Sequence, residues 1–142
     1  MPYLVKDFMK KDVITIDAGG SAVGVSKCMS EKNVGCLVVL ERAQLAGIVT
    51  ERDLITRVMA QGKDPLKTKV SEFMSSPLIT IDPDASVSEA AEVMAKHGIR
   101  KLPVVRRDIL YGIFTARDLI KHFREYEDKI TKELIRSMWS WL

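Results

Sequence analysis

No stretch of this chain approaches the ~20 apolar residues needed to cross a bilayer, and Met1-Pro2-Tyr3-Leu4-Val5-Lys6-Asp7 lacks the basic start and long apolar segment of a secretion signal. A cytoplasmic protein is expected, with no membrane partner. Blocks of like charge are missing too: the net charge of +3 is spread along the chain, which speaks against a nucleic-acid surface while leaving room for small anionic ligands. Cysteine is scarce. Cys28 and Cys36 stand eight apart, outside zinc-ligand spacing, and Val93 and Lys101 take their places 65 residues later, so two small packed thiols are expected. His97 and His122 are isolated, which gives no metal centre. No nucleophile stands beside a base and no carboxylates are paired for catalysis, so no enzyme is expected.

What the chain does have is one unit written twice. Residues 5 to 55 return at 70 to 120 in a 65-residue register without insertion or deletion. Phe8-Met9 matches Phe73-Met74, Ile14-Thr15-Ile16-Asp17 matches Ile79-Thr80-Ile81-Asp82, and Gly47 through Ile55 matches Gly112 through Ile120. Such self-similarity marks supersecondary units that complete each other's core. With 142 residues, 46% hydrophobic and 29% charged, the whole has the size and composition of one globular domain, and each half alone would be marginal. The expected organisation is repeat one at 1–62, a linker at 63–69 carrying Pro65 and alternating charges, repeat two at 70–124 and a tail at 125–142.

Each repeat reads as strand, helix, strand, strand, helix. The β-branched runs Val13 to Ile16 and Leu78 to Ile81 lead into turn residues. Ser21 and Ser86 follow as N-caps, and Glu89, three residues after Ser86, suggests a capping box. Helices are expected over Ala22 to Lys32 and Val87 to Lys96, the latter ending at Gly98. Leu37 to Leu40 and Leu102 to Val105 suit buried strands. A second strand then runs straight into a helix at Thr50 or Thr115, and the first of these helices ends near Gly62. The fold class is α/β (α+β): tandem β-α-β-β-α repeats with pseudo-twofold symmetry and a long C-terminal helix.

Gly47-Ile48-Val49-Thr50-Glu51-Arg52-Asp53 and Gly112-Ile113-Phe114-Thr115-Ala116-Arg117-Asp118 place a hydroxyl and a carboxylate in the first turn of a helix. Thr with Asp three residues on is itself a capping pattern and requires no ligand. The same geometry offers backbone N–H groups to a phosphate and carboxylate oxygens to the hydroxyls of a ribose. Gly47 and Gly112 would let a ligand or a second backbone come close. Arg52 and Arg117, in the same turn, could add positive charge to the site, with a solvated face the preferred reading.

Together with Val5 to Met9 and Val70 to Met74, the two strand-turns, and Gly98-Ile99-Arg100-Lys101-Leu102-Pro103-Val104-Val105, these segments resemble the CBS domain family, named for cystathionine β-synthase. The resemblance covers residues 5 to 120. It implies two equivalent clefts between the repeats and a regulatory module binding AMP, ADP, ATP or S-adenosylmethionine as a regulatory ligand, not as a cofactor. Carried onto this chain, Asp53 and Asp118 would hold ribose hydroxyls, with Thr50 and Thr115 close by. Ile79 would flank adenine in the Asp53 cleft and Ile14 in the Asp118 cleft. Val34-Gly35-Cys36 and Ile99-Arg100-Lys101 would line both. Arg100 and Lys101 pair with phosphate where Gly35 and Cys36 do not, so the positive charge is expected from repeat two and the Asp118 cleft is the better phosphate site.

The last helix keeps a three-to-four apolar spacing through Leu119, Ile120, Phe123, Tyr126, Ile130, Leu134, Ile135, Met138 and Leu142, with Trp139 and Trp141 near the tip. A tail of roughly 25 residues reaches about 37 Å at 1.5 Å per residue, too long to pack wholly on so small a body. Self-association into a homodimer through the repeats and this helix is the preferred reading; capping of the chain's own core and a membrane surface are the others. The output would pass to a separate effector protein. Two further alternatives stand: a scaffold whose clefts are vestigial, and an RNA-binding module, which steep salt dependence would mark.

Overall fold

The computed structural model describes residues 3–140, with side chains through Met138; the apolar tip expected at Trp139, Trp141 and Leu142 lies outside them. A 3-10 turn at Val5–Asp7 precedes β1 (Thr15–Asp17), α1 (Ala22–Lys32), β2 (Cys36–Glu41), β3 (Gln44–Thr50) and α2 (Glu51–Asp53), which runs on as a π-helical segment, Leu54–Met59. Repeat two follows with α3 (Val70–Phe73), α4 (Val87–His97), β4 (Lys101–Arg106), β5 (Ile109–Thr115) and α5 (Ala116–Ser140). Ser21 Oγ accepts from Gly24 N at 3.0 Å and Ser86 Oγ from Glu89 N at 3.0 Å. The capping box expected from Glu89 is only half made, since no bond returns from its carboxylate to Ser86 N. Asn33 and Gly98 close α1 and α4 in the left-handed conformation.

In repeat one the sheet order is β1-β2-β3, β1 parallel and β3 antiparallel to β2. Repeat two keeps the β4-β5 pair, but the strand expected over Leu78 to Ile81 shrinks to a single bridge, Ile81 to Val104. The cause is Pro103. Its counterpart Val38 donates its N–H to Ile14 O at 3.1 Å, and proline has no N–H to offer Ile79 in the same way.

The hairpin turns Arg42-Ala43 and Arg107-Asp108 have φ of 52°, 62°, 51° and 63°, the geometry that favours Asn-Gly. Arg42→Asn combined with Ala43→Gly is expected to raise unfolding free energy by about 1 kcal/mol in urea titrations, because an L side chain with a β-carbon is strained in this region.

The repeats trade their opening segments. Residues 3 to 10 pack on repeat two: Val5 N donates to Ala85 O (2.9 Å), Val87 N to Tyr3 O (2.9 Å), and Lys10 and Ile113 bond in both directions. Lys6 adds an ion pair to Asp84 at 3.0 Å, and Arg106 bonds Asp82 and Asp84, holding both carboxyls below the usual carboxylate range. Residues 68 to 75 pack on repeat one, with Val70 N on Gly20 O and Ser75 paired with Ile48. One core accordingly joins Leu37, Val39 and Val49 to Val70 and Phe73; the other joins Leu102, Val104 and Phe114 to Val5.

Gly47 and Gly112 make the exchange possible. A β-carbon on Gly47 would lie 2.6 Å from Ser75 O, and one on Gly112 would lie 2.5 Å from Lys10 O. Of the two visitors these glycines admit, it is the second backbone that comes close.

The root of α5 packs on repeat two, where His122 sits among Tyr3, Phe8 and Tyr126 with ring centroids 4.3 to 6.4 Å away. From Phe123 through Met138 every residue is exposed. Capping of the chain's own core therefore reaches no further than the Tyr126 ring. Among the described residues no helix is long and apolar enough to cross a membrane.

Candidate functional site

Thr50 and Thr115 end their strands and cap the helices that follow. Thr50 N donates to Asp53 Oδ2 at 2.9 Å and Asp53 N to Thr50 Oγ1 at 3.2 Å; the copy repeats this at 2.9 and 3.3 Å. Both carboxylates are 6% exposed, and burial of a charge is tolerated because backbone and hydroxyl donors satisfy it. Capping is realised in both repeats, yet it engages one carboxylate oxygen, Oδ2, and leaves the other to its surroundings.

Those surroundings differ. Beside the Thr115 cap lies a cavity of about 750 Å³ between the repeats, within the roughly 300–1,000 Å³ typical of small-ligand sites. Its walls bring together Ile14, Val34, Gly35 and Cys36 of repeat one with Arg100, Lys101 and Thr115 of repeat two. Asp118 stands behind this wall, bonded to Thr115 Oγ1 at 3.0 Å, and no hydrogen bond or ion pair reaches its Oδ1 among the described residues. Gly112 supports the site from outside by admitting Lys10, and Ile99 packs on the core of repeat two, as does Ile79.

Of the expected site residues, Asp118, Gly112 and Ile99 do not line this cavity, and neither do Asp53, Thr50, Gly47 and Ile79. Asp53 Oδ1 instead accepts from Ser75 Oγ at 3.2 Å and lies 3.8 Å from Arg57 Nε. The two carboxylates thus have different surroundings, because Lys10 and His122 occupy the positions matching Ser75 and Arg57.

The charge of the cavity also corrects the sequence reading. Arg117 is exposed, as expected, and also lines the cavity, so it adds charge there, and Lys10 brings positive charge from repeat one. With Arg100 and Lys101 they make four cations against two carboxylates, Asp12 and Glu51. The excess favours an anionic ligand. Nothing local to Lys10 signals this place; it follows from the exchanged opening segment.

At the meeting of the repeats Lys101 Nζ donates to Gly35 O at 2.9 Å. A β-carbon on Gly35 would fall 2.5 Å from Glu51 Oε1 and 2.9 Å from Lys101 Nζ, so the bare backbone there lets an ammonium and a carboxylate converge. Burial pushes the neighbouring Cys36 thiol up against the opposing pull of Lys101 and Lys10, which keeps it protonated at neutral pH. Among the described residues no group of side chains is arranged to hold a metal ion.

Comparison with known proteins gives the same picture. The family model for the CBS domain matches residues 5–60 and 70–125. The CBS domain-containing protein YhcV of Bacillus subtilis is 39% identical over 115 residues, spanning 81% of each chain. An uncharacterized protein of Methanopyrus kandleri, MK0525, is 38% identical over 119 residues, and here the match spans 82% of this chain but 61% of that protein. Among solved structures, the hexameric CBS-CP12 protein from bloom-forming cyanobacteria is 29% identical with a TM-score of 0.81, covering 97% of this chain and 88% of the other. CBS pairs are generally regulatory, ligand-binding modules. Twofold repetition, exchanged opening segments and a Thr-x-x-Asp cap in each repeat meet in a chain that belongs to the CBS domain family.

Proposed function

We propose that the Asp118 cleft binds an adenosine nucleotide, AMP, ADP or ATP, and that occupancy regulates a separate effector protein. One observation supports the reading: Thr115 lines a 750 Å³ cavity whose cations outnumber its carboxylates by four to two, and the buried Asp118 carboxylate bonded to that threonine stands behind the wall with one oxygen spare. Asp118 Oδ1 would accept from a ribose hydroxyl, Ile14 and Val34 would flank the base, and Arg100, Lys101, Lys10 and Arg117 would meet phosphate. A phosphate also competes with Gly35 O for the Lys101 ammonium. Occupancy would loosen a tie between the repeats and so alter how they meet. S-adenosylmethionine, with its cationic sulfonium, suits this positive cavity less well.

Thermal unfolding of the full chain with AMP, ADP, ATP, S-adenosylmethionine and NAD tests the reading. Ligand at a hundredfold its Kd adds about 2.7 kcal/mol. We expect a clear upward shift with the adenine nucleotides and a smaller one with S-adenosylmethionine; no shift with any adenosine compound at millimolar concentration overturns the proposal.

The protein also acts as a homo-oligomer, with a dimer through the repeat faces and α5 as its unit. Ile55 (62% exposed), Met59 (76%) and Ile120 (63%) leave apolar surface on the repeats, and Ile130, Leu134, Ile135 and Met138 continue it along α5. Support comes from the cyanobacterial CBS-CP12 protein, a hexamer whose likeness over 97% of this chain takes in most of α5.

A further inference from the structure

The two Thr-x-x-Asp caps are built alike and used differently. Both place Oδ2 on the Thr backbone N–H at 2.9 Å. At Asp53 the second oxygen is taken: Ser75 Oγ donates to Oδ1 at 3.2 Å and Arg57 Nε lies 3.8 Å away. Arg57 Nη1 reaches on to Met74 O at 2.9 Å and Phe73 O at 3.4 Å. Phe73 is fully buried in the core of repeat one, although its segment comes from repeat two. Asp53 is in this way the hub of a polar junction that fastens the exchanged segment to the π-helical stretch. The 65-residue register shows why Asp118 has no such junction. Lys10 matches Ser75 and turns its side chain to the cavity wall, and His122 matches Arg57 and packs among aromatic rings with Nδ1 unbonded.

We propose that this chain carries one nucleotide site and that the related cleft is shut from within, the Ser75 hydroxyl and the Arg57 guanidinium holding Asp53 Oδ1 where a ribose hydroxyl would bind. Asp118 keeps one oxygen unbonded behind the cavity wall, and a ligand that reaches past Thr115 would meet it; Asp53 is a structural staple. The stoichiometry rests on the nucleotide reading above, whereas the staple does not.

Two measurements on the full-length protein decide it. Asp53→Asn and Asp118→Asn disturb identical caps, so any difference between them isolates the Ser75 and Arg57 contacts. We expect Asp53→Asn to lower the melting midpoint about twice as far as Asp118→Asn, given the added charge-assisted contacts. Ser75→Ala and Arg57→Ala, milder changes, should be non-additive with Asp53→Asn in urea melts. Equilibrium dialysis with AMP should give one molecule per chain, a value Asp53→Asn leaves in place and Asp118→Asn removes. Two AMP per chain, one of them lost with Asp53→Asn, overturns the inference, as do equal melting shifts with additive double variants. If AMP binds no variant and not the parent, the nucleotide reading falls, and the coupling in the melts alone decides whether Asp53 is a staple.

Discussion

Gly112→Ala is expected to lower the melting midpoint of the protein by roughly 10 °C, the effect of about 3 kcal/mol at the upper end of overpacking. The added carbon would stand 2.5 Å from Lys10 O and 2.8 Å from Met9 S. The sulfur swings aside on a flexible side chain. The carbonyl does not, because Lys10 is bonded to Ile113 through both its N–H and its C=O at 2.9 Å. Relief requires residues 9 and 10 to leave β5, which strips the second core of its opening segment and takes the Lys10 ammonium from the cavity wall. Weaker nucleotide binding should therefore accompany the lost stability. Gly24→Ala is the control: the same methyl, placed inside α1 at 3.4 Å from Ser21 Oγ, should stabilise by about 0.5 kcal/mol through better helix propensity. Equal melting points for the Gly112 variant and the parent protein would show that the exchanged segment is not held as described.

Removal of residues 127 to 142 should convert the assembly into a smaller species, with self-association weakened at least about a hundredfold. Ile130, Leu134, Ile135 and Met138 are between 37% and 67% exposed, and among the described residues no buried apolar core residue lies beyond Phe114. Two such stripes covering each other would gain on the order of 10 kcal/mol, comparable with the roughly 4–15 kcal/mol cost of association, so in the proposed oligomer the helix would decide whether assembly occurs. Tyr126 remains to pack on Tyr3 and His122. Multi-angle light scattering should then report a lower mass while the melting midpoint extrapolated to low concentration stays put. An unchanged mass would assign assembly to the Ile55, Met59 and Ile120 faces alone.

Much of the fold was legible because it depends on local chemistry repeated in register. Serine caps, the left-handed stop at Gly98 and the threonine starts of α2 and α5 are each set by neighbours within a few residues. The same holds for the apolar spacing of α5. What stayed hidden depends on partners far along the chain. Gly47 and Gly112 announce a close approach, but which segment approaches is settled only when the halves trade their beginnings. That exchange puts Lys10 in the cavity wall and Ser75 on Asp53. Arg117 is exposed as its pattern suggests, and only the neighbouring repeat, by building a wall beside it, turns that exposed charge toward the cavity. Pro103 was the one overlooked local signal: its missing N–H costs repeat two a full first strand.

The traded segments have a consequence for inheritance. A gene fragment ending near residue 60 encodes a half with a hole in its centre and a loose sticky arm, and the complementary fragment has the converse defects. Recombination that moved a single copy would part each core from the segment that fills it, so the two copies are expected to travel together and to change in step.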